Sequence, residues 1–210
     1  MVSKGYILDF LKDLNRNNSK AWMDEHRERY HQAKARWLHE VNTILRRLES
    51  HDPNLAYVRP KECISRINNN RRFHPSRPTY KPFFTCEPAV YSRDVSPFYV
   101  LVGAKECFMW RPRKEALAKF RAAVDYNGNE LRELLLRADM RDHFVGLEHD
   151  PHRLKVAPQG YSNDHPQIDL LRYKRITLMH PLTEAEFLSD AFVDHVEETY
   201  LKLQPFVGYL

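Results

Sequence analysis

The sequence predicts an α+β fold in a single domain spanning residues 1–210, with an antiparallel or mixed sheet from the middle third packed with N- and C-terminal helices. Three observations predict it. Apolar residues recur at helical spacing near both ends, short strand-like apolar runs are grouped in the middle, and the regular strand–helix alternation of a parallel α/β fold is missing. With 210 residues, 42% of them hydrophobic and 29% charged, the chain can bury one substantial core, and its 13 prolines and 6 glycines are scattered rather than massed in a linker.

Ile7, Phe10, Leu11 and Leu14 line one face of a short first helix, which the polar Asn15-Arg16-Asn17-Asn18-Ser19 run ends. Ser19 is the natural N-cap of a long second helix reaching about Glu49, because Tyr30, Ala33, Trp37, Val41, Ile44, Leu45 and Leu48 recur at three and four. His51-Asp52-Pro53-Asn54 stops it.

From about Tyr57 to Trp110 the pattern changes to strand-like runs carrying Ile64, Phe83, Phe84, Val90, Tyr91 and Phe98 to Val102. The run ending at Val102, turning through Gly103-Ala104-Lys105 and resuming at Cys107, is the best hairpin. Pro112 opens a helix bearing Leu117, Phe120 and Val124, which Asn127-Gly128-Asn129 interrupts before a second segment over residues 131–138. One helical turn is expected over residues 168–171 and a late strand over 173–179. Thr183 and Glu186 form a capping-box sequence ahead of a C-terminal helix over 190–206.

The opening residues carry charges inside their apolar stretch and so lack the core of a secretory signal. No window approaches the roughly 18 apolar residues of a membrane span. Cys63, Cys86 and Cys107 are widely spaced without a CxxC, which suits thiols in a reducing compartment, so a soluble protein in a cytoplasmic location is expected. A formal net charge of +5 permits an acidic partner without a polybasic composition.

The most unusual stretch runs over residues 65–81 and holds Arg66, Asn68-Asn69-Asn70, Arg71, Arg72, Arg77, Tyr80 and Lys81. Guanidinium forks hold a carboxylate or phosphate through two parallel bonds, Lys81 adds a point charge, and Asn and Tyr orient the ligand. The bland alternative is a solvated basic turn whose arginines pair with surface carboxylates. A second polar cluster is Gly160-Tyr161-Ser162-Asn163-Asp164-His165-Pro166. There Asp164 could bias the His165 imidazole toward acid/base work, or simply cap a helix with Pro166 in its first turn.

His143, His149 and His152, interleaved with Asp142, Glu148 and Asp150, match no standard metal spacing, and Glu28 with His31 is a lone ExxH where a di-iron bundle needs two. No GxSxG, SxxK, GxGxxG or P-loop occurs, so neither metal nor cofactor is expected, and the common nucleotide-binding folds are not expected either.

Taken in order, Phe10-Leu11-Lys12-Asp13-Leu14 with Asn17-Asn18 and Trp22, then Arg66-Ile67 through Arg72-Phe73 with Tyr80-Lys81, then Gly146-Leu147-Glu148 and Gly160 to Pro166, resemble the motifs of domain-of-unknown-function family 2461. The resemblance runs from about Phe10 to the C-terminus. It places Asn17, Asn18, Trp22, Arg27, Tyr30, Arg66, Arg72, Phe73, Tyr80, Lys81, Gly160, Asp164, His165 and Pro166 on signature positions but implies no reaction. Asn69 and Asn70 stand where the family usually has Arg-Asp, which removes a charge of each sign.

The expected site is therefore a basic pocket for a small anionic ligand. Arg66, Arg72 and Lys81 hold the anion, Asn18, Trp22, Asn70 and Tyr80 line it, and His165 with Asp164 supplies any acid/base function. Two rivals stand beside it: a nucleic-acid or acidic-protein module presenting the same arginines on an open face with Arg59, Lys61, Arg71, Arg77 and Arg93, and an accessory subunit whose arginines are internal ion-pair partners. A small ligand is favoured over nucleic acid, no membrane partner is expected, and the sequence does not set the oligomeric state.

Overall fold

The computed structural model describes residues 1–88, 98–104, 107–109, 115–145, 153–174 and 176–210. Val90, Tyr91, Arg93, Trp110, Pro112, Gly146, Leu147, Glu148, His149, Asp150 and His152 lie outside the described residues.

In chain order the elements are helices α1 (Lys4–Arg16), α2 (Lys20–Glu25), α3 (Arg27–Leu48) and α4 (Pro60–Cys63), then strands β1 (Phe83–Cys86), β2 (Val100–Gly103) and β3 (Cys107–Met109). Helices α5 (Glu115–Leu136), α6 (Ala138–Arg141) and α7 (Ile168–Leu171) follow, then β4 (His180–Pro181), α8 (Glu184–Leu188) and α9 (Phe192–Tyr209). The architecture is α+β, as the sequence predicts. No helix among the described residues is long and apolar enough to cross a membrane. The chain forms two compact units, Met1–Phe108 with Leu182–Glu197, and Met109–Pro181 with Glu198–Leu210.

In the first unit α1 buries Ile7, Leu8, Phe10, Leu11 and Leu14, the face the spacing predicts, with Ser3 as N-cap. It lies against α3, which buries Ala33, Trp37, Val41, Ile44, Leu45 and Leu48. The expected single helix from Ser19 is in fact two. Ser19 does cap α2, its Oγ accepting from the Trp22 N–H at 3.2 Å, but His26 leaves the helical region at φ −109°, ψ 22°. The His26 ring stacks on Trp22 at 4.2 Å and points Nδ1 at the Trp22 carbonyl, 2.9 Å away, and α3 restarts at Arg27.

β1 and β2 pair antiparallel in the register Phe83↔Gly103 to Cys86↔Val100, and β3 is the next strand beside β2, as the hairpin reading expects. The sheet is tied to α3 by the buried Trp37, whose indole N–H donates to the Thr85 carbonyl at 3.0 Å. Residues 57–64 are not strand. Pro60 sits in the first turn of α4, and the Glu62 carboxylate accepts from the Arg59 N–H at 3.2 Å, a proline-plus-acid helix start that overrides the local β-like composition.

In the second unit α5 breaks at Asn127 (φ −151°, ψ 65°), within the Asn-Gly-Asn run. A Cβ at Gly128 would stand 2.6 Å from Gln167 Cγ, so any larger residue there must displace that side chain. Phe120, Val124, Leu131, Phe144, Leu171, Tyr173, Ile176, Leu178 and Phe206 share one core. Of the strand expected over 173–179, none forms among the described residues 173–174 and 176–178. Tyr173, Ile176 and Leu178 are buried, but the Tyr173 carbonyl accepts from Arg121 Nη2 at 3.2 Å rather than from a neighbouring strand, and pairing among the described residues is reduced to the Val145↔Met179 bridge and the short β4.

Candidate functional site

Residues 67–81 form a closed arm on the first unit. Its base is a bridge between Asn68 and Tyr80, reinforced by the Lys81 N–H on the Ile67 carbonyl at 2.7 Å and the Asn69 N–H on the Thr79 carbonyl at 3.0 Å. The Asn69 side chain adds a bond from Nδ2 to the Pro78 carbonyl at 2.8 Å. Farther out, the His74 N–H reaches the Asn70 carbonyl at 3.2 Å and the Arg77 N–H the His74 carbonyl at 3.1 Å. Three consecutive asparagines and two prolines, Pro75 and Pro78, suit such a turn-rich excursion.

Asn18 fastens this base to the helical layer. Its Nδ2 donates to the Tyr80 carbonyl at 2.9 Å, and its Oδ1 accepts from the Tyr80 N–H at 2.8 Å. With both amide atoms committed to backbone, Asn18 is a positioning residue for the arm rather than a ligand contact. Tyr80 is only 4% exposed, so its ring is an anchor directed inward. Trp22 is half-buried, with Phe10 on one side at 6.0 Å and His26 stacked on it at 4.2 Å. Tyr30 and Phe84 extend the cluster through Phe10.

The charges of the arm differ from those of the rest of its unit. Arg16, Arg27, Arg29, Arg36, Arg46, Arg47 and Arg59 each meet an aspartate or glutamate. Arg66, Arg71, Arg72 and Arg77 are exposed and meet no carboxylate among the described residues. Lys81, half-buried, gives one N–H to the Arg66 carbonyl at 2.8 Å. Burial, and behind it the Arg77 guanidinium, hold its ammonium below the ordinary lysine value. Like charges this close are repulsive unless an anion enters between them. The internal-pairing alternative for these arginines thus finds no partner in the described structure. Asn70 lies exposed toward the tip. Phe73, three residues on, is 71% exposed with the Arg72 guanidinium over its ring at 5.8 Å.

Asp164 and His165 belong to the second unit. The turn is shaped by Gly160 at φ 91°, a left-handed conformation that glycine adopts without strain. Asn163 Oδ1 accepts from the Ala157 N–H at 2.9 Å and from Arg172 at 3.1 Å. Asp164 does not touch the imidazole and does not cap α7, whose N-cap is Gln167; its N–H bonds Ser162 Oγ at 3.2 Å. The carboxylate that meets His165 is Asp125 of α5, at 2.9 Å from Nε2, while Nδ1 accepts the Gln167 N–H at 3.0 Å. The ring proton is therefore on Nε2, and both nitrogens are engaged. In this geometry His165 joins α5 to the start of α7 and has no lone pair free for a substrate proton. Asp125 lies forty residues away in the chain, and no local pattern announces it.

Cys63 and Cys86 are buried thiols; the Cys63 side chain and burial together push the Cys86 thiol well up, which opposes a nucleophilic thiolate. His143 stacks on His180 at 4.0 Å, with Nε2 facing Thr199 Oγ1 at 2.9 Å and Nδ1 facing Lys202 at 3.2 Å. Among the described residues no three His, Cys, Asp or Glu side chains come together as a metal would require.

A family model described as "Conserved hypothetical protein (DUF2461)" matches residues 6–209. No curated protein and no solved structure matches the chain.

Proposed function

Since the chain belongs to the DUF2461 family, whose description carries no activity, we propose from the geometry of the arm that the protein binds a small anionic ligand bearing a phosphate or carboxylate group. One observation carries this reading. The arm's arginines lack carboxylate partners among the described residues, while every other described arginine of the same unit has one. Unpaired exposed guanidinium groups beside a partly desolvated ammonium are poised for charge-assisted bonds to an incoming anion.

Arg66, Arg72 and Arg77 supply forked donors, Lys81 keeps two N–H groups beyond its bond to the Arg66 carbonyl, and Asn70 offers an orienting amide. Asn18 and Tyr80 hold the base from which these groups project, and Trp22 stiffens the helix beside Asn18. The reading is one of binding; no chemical step is placed on His165 or Asp164.

A thermal-shift screen against inorganic phosphate, nucleoside monophosphates and small di- and tricarboxylates tests it, because a ligand that binds the native state raises its stability. The expected result is a rise with one of these classes that is lost in Arg66→Ala. A screen with no rise in any class, or a rise that survives Arg66→Ala and Arg72→Ala alike, would overturn it.

A further inference from the structure

We infer that the anion bound by the arm is the backbone of single-stranded nucleic acid, with Phe73 as the platform on which a base stacks. This rests on the anion-binding reading and names the partner of the same arm.

A small anion has no use for Phe73. The side chain is 71% exposed at the tip of an arm whose other apolar residues, Ile67 at 6% and Tyr80 at 4% exposure, point inward. Exposing a large aromatic ring forgoes the burial that its neighbours obtain, and the arm is hydrogen-bonded from base to tip, so the ring is held out on a shaped support. The Arg72 guanidinium stands over one face at 5.8 Å, and no other ring among the described residues lies against Phe73. The second face is open to a planar partner.

Arg71 and Arg72 directly precede the ring, His74 follows it, and Arg77 and Arg66 stand on the returning and outgoing limbs. Aromatic stacking within a run of unpaired cations is the combination that single strands require. Every base offers a π-face regardless of sequence, and the phosphates need positive charge at the adjoining positions. An intact duplex keeps its bases stacked on each other and offers Phe73 no face, and an acidic peptide offers charge but no planar stack. The net charge of +5 has the sign this partner needs.

Fluorescence anisotropy with a labelled oligothymidylate of about 15 nucleotides tests the inference on the full chain. Phe73→Ala is expected to weaken binding by at least about five-fold, with an unchanged far-UV spectrum because the ring is exposed. Phe73→Trp is expected to keep binding and to show quenching of the new indole. Four arginine–phosphate contacts predict a slope of log K against log salt of about −2.8. If inorganic phosphate binds through Arg66 but the oligonucleotide binds no differently to Phe73→Ala, or if a duplex or polyglutamate binds as tightly as the single strand, the inference falls and the anion site stands. If neither phosphate nor oligonucleotide binds, both fall together.

Discussion

Asn18→Ala removes both bonds of the clamp on Tyr80, at 2.8 and 2.9 Å, and leaves the Tyr80 N–H and carbonyl without those partners beside a ring only 4% exposed. A typical net hydrogen bond contributes about 1 kcal/mol, and a buried group left unsatisfied costs about 1–3 kcal/mol, so the pair is worth on the order of 2–4 kcal/mol. For a chain of this size each kcal/mol moves Tm by about 2–4 °C, which gives a fall of roughly 4–16 °C if the arm's base unfolds with its unit. Thermal denaturation followed by circular dichroism reads the shift, and phosphate titration of the folded variant reads whether the cations have lost their support. Asn18→Asp is the sharper control: it keeps an acceptor for the Tyr80 N–H but sets an anionic oxygen against the Tyr80 carbonyl, and should be no more stable than the alanine variant. A Tm within about 1 °C of wild type for both, with unchanged anion affinity, would refute the assignment of Asn18 as the fastening of the arm.

Gly160→Ala meets open space, yet at φ 91° it should cost about 1–2 kcal/mol through backbone strain alone, whereas Gly128→Ala must displace Gln167; urea unfolding of the two variants separates the causes. Burial pushes the Asp169 carboxyl up, but the Arg132 bonds at 2.6 and 2.8 Å, the guanidinium charge and the backbone N–H groups of Leu170 and Asp169 together outweigh it and hold the carboxyl below the ordinary value of 3.8. A depressed folded pKa adds stability above the unfolded value that is lost as pH falls through the folded pKa, so the Tm advantage of wild type over Arg132→Ala should shrink as pH falls from the ordinary value of 3.8 through the lower folded one, leaving the part that comes from the Arg132–Gln167 bond. The Lys81 ammonium is held below 10.5 by burial and by Arg77, so anion affinity should fall, as pH rises, earlier than an ordinary lysine would allow, and Lys81→Arg should remove that alkaline fall.

Local features carried most of what was legible in the sequence. The apolar face of α1, the Ser19 cap, the break at Asn127, the single turn of α7 and the Thr183–Glu186 capping box all rest on residues within one or two turns of each other. What was not legible depends on residues far apart or on side chains substituting for backbone. Arg121 takes the Tyr173 carbonyl, the first that a strand over 173–179 would have needed, from fifty-two residues away. His26 interrupts a helix without any breaker residue, through its own ring on Trp22. At the site, composition marked the basic arm and its arginines. It did not mark Asn18 as a clamp, since Tyr80 is sixty-two residues on, nor Asp125 as the partner of His165.

The most direct test of the central claim is isothermal titration of inorganic phosphate into the wild-type protein and Arg72→Ala at low salt. A charge-assisted bond is worth about 1.5–3 kcal/mol, so the account predicts saturable binding weakened roughly ten- to 150-fold by the substitution, with Tm before ligand unchanged because Arg72 is exposed and meets no carboxylate among the described residues. Equal affinity in the two proteins, or a fall in unliganded stability that accounts for the loss, would contradict it.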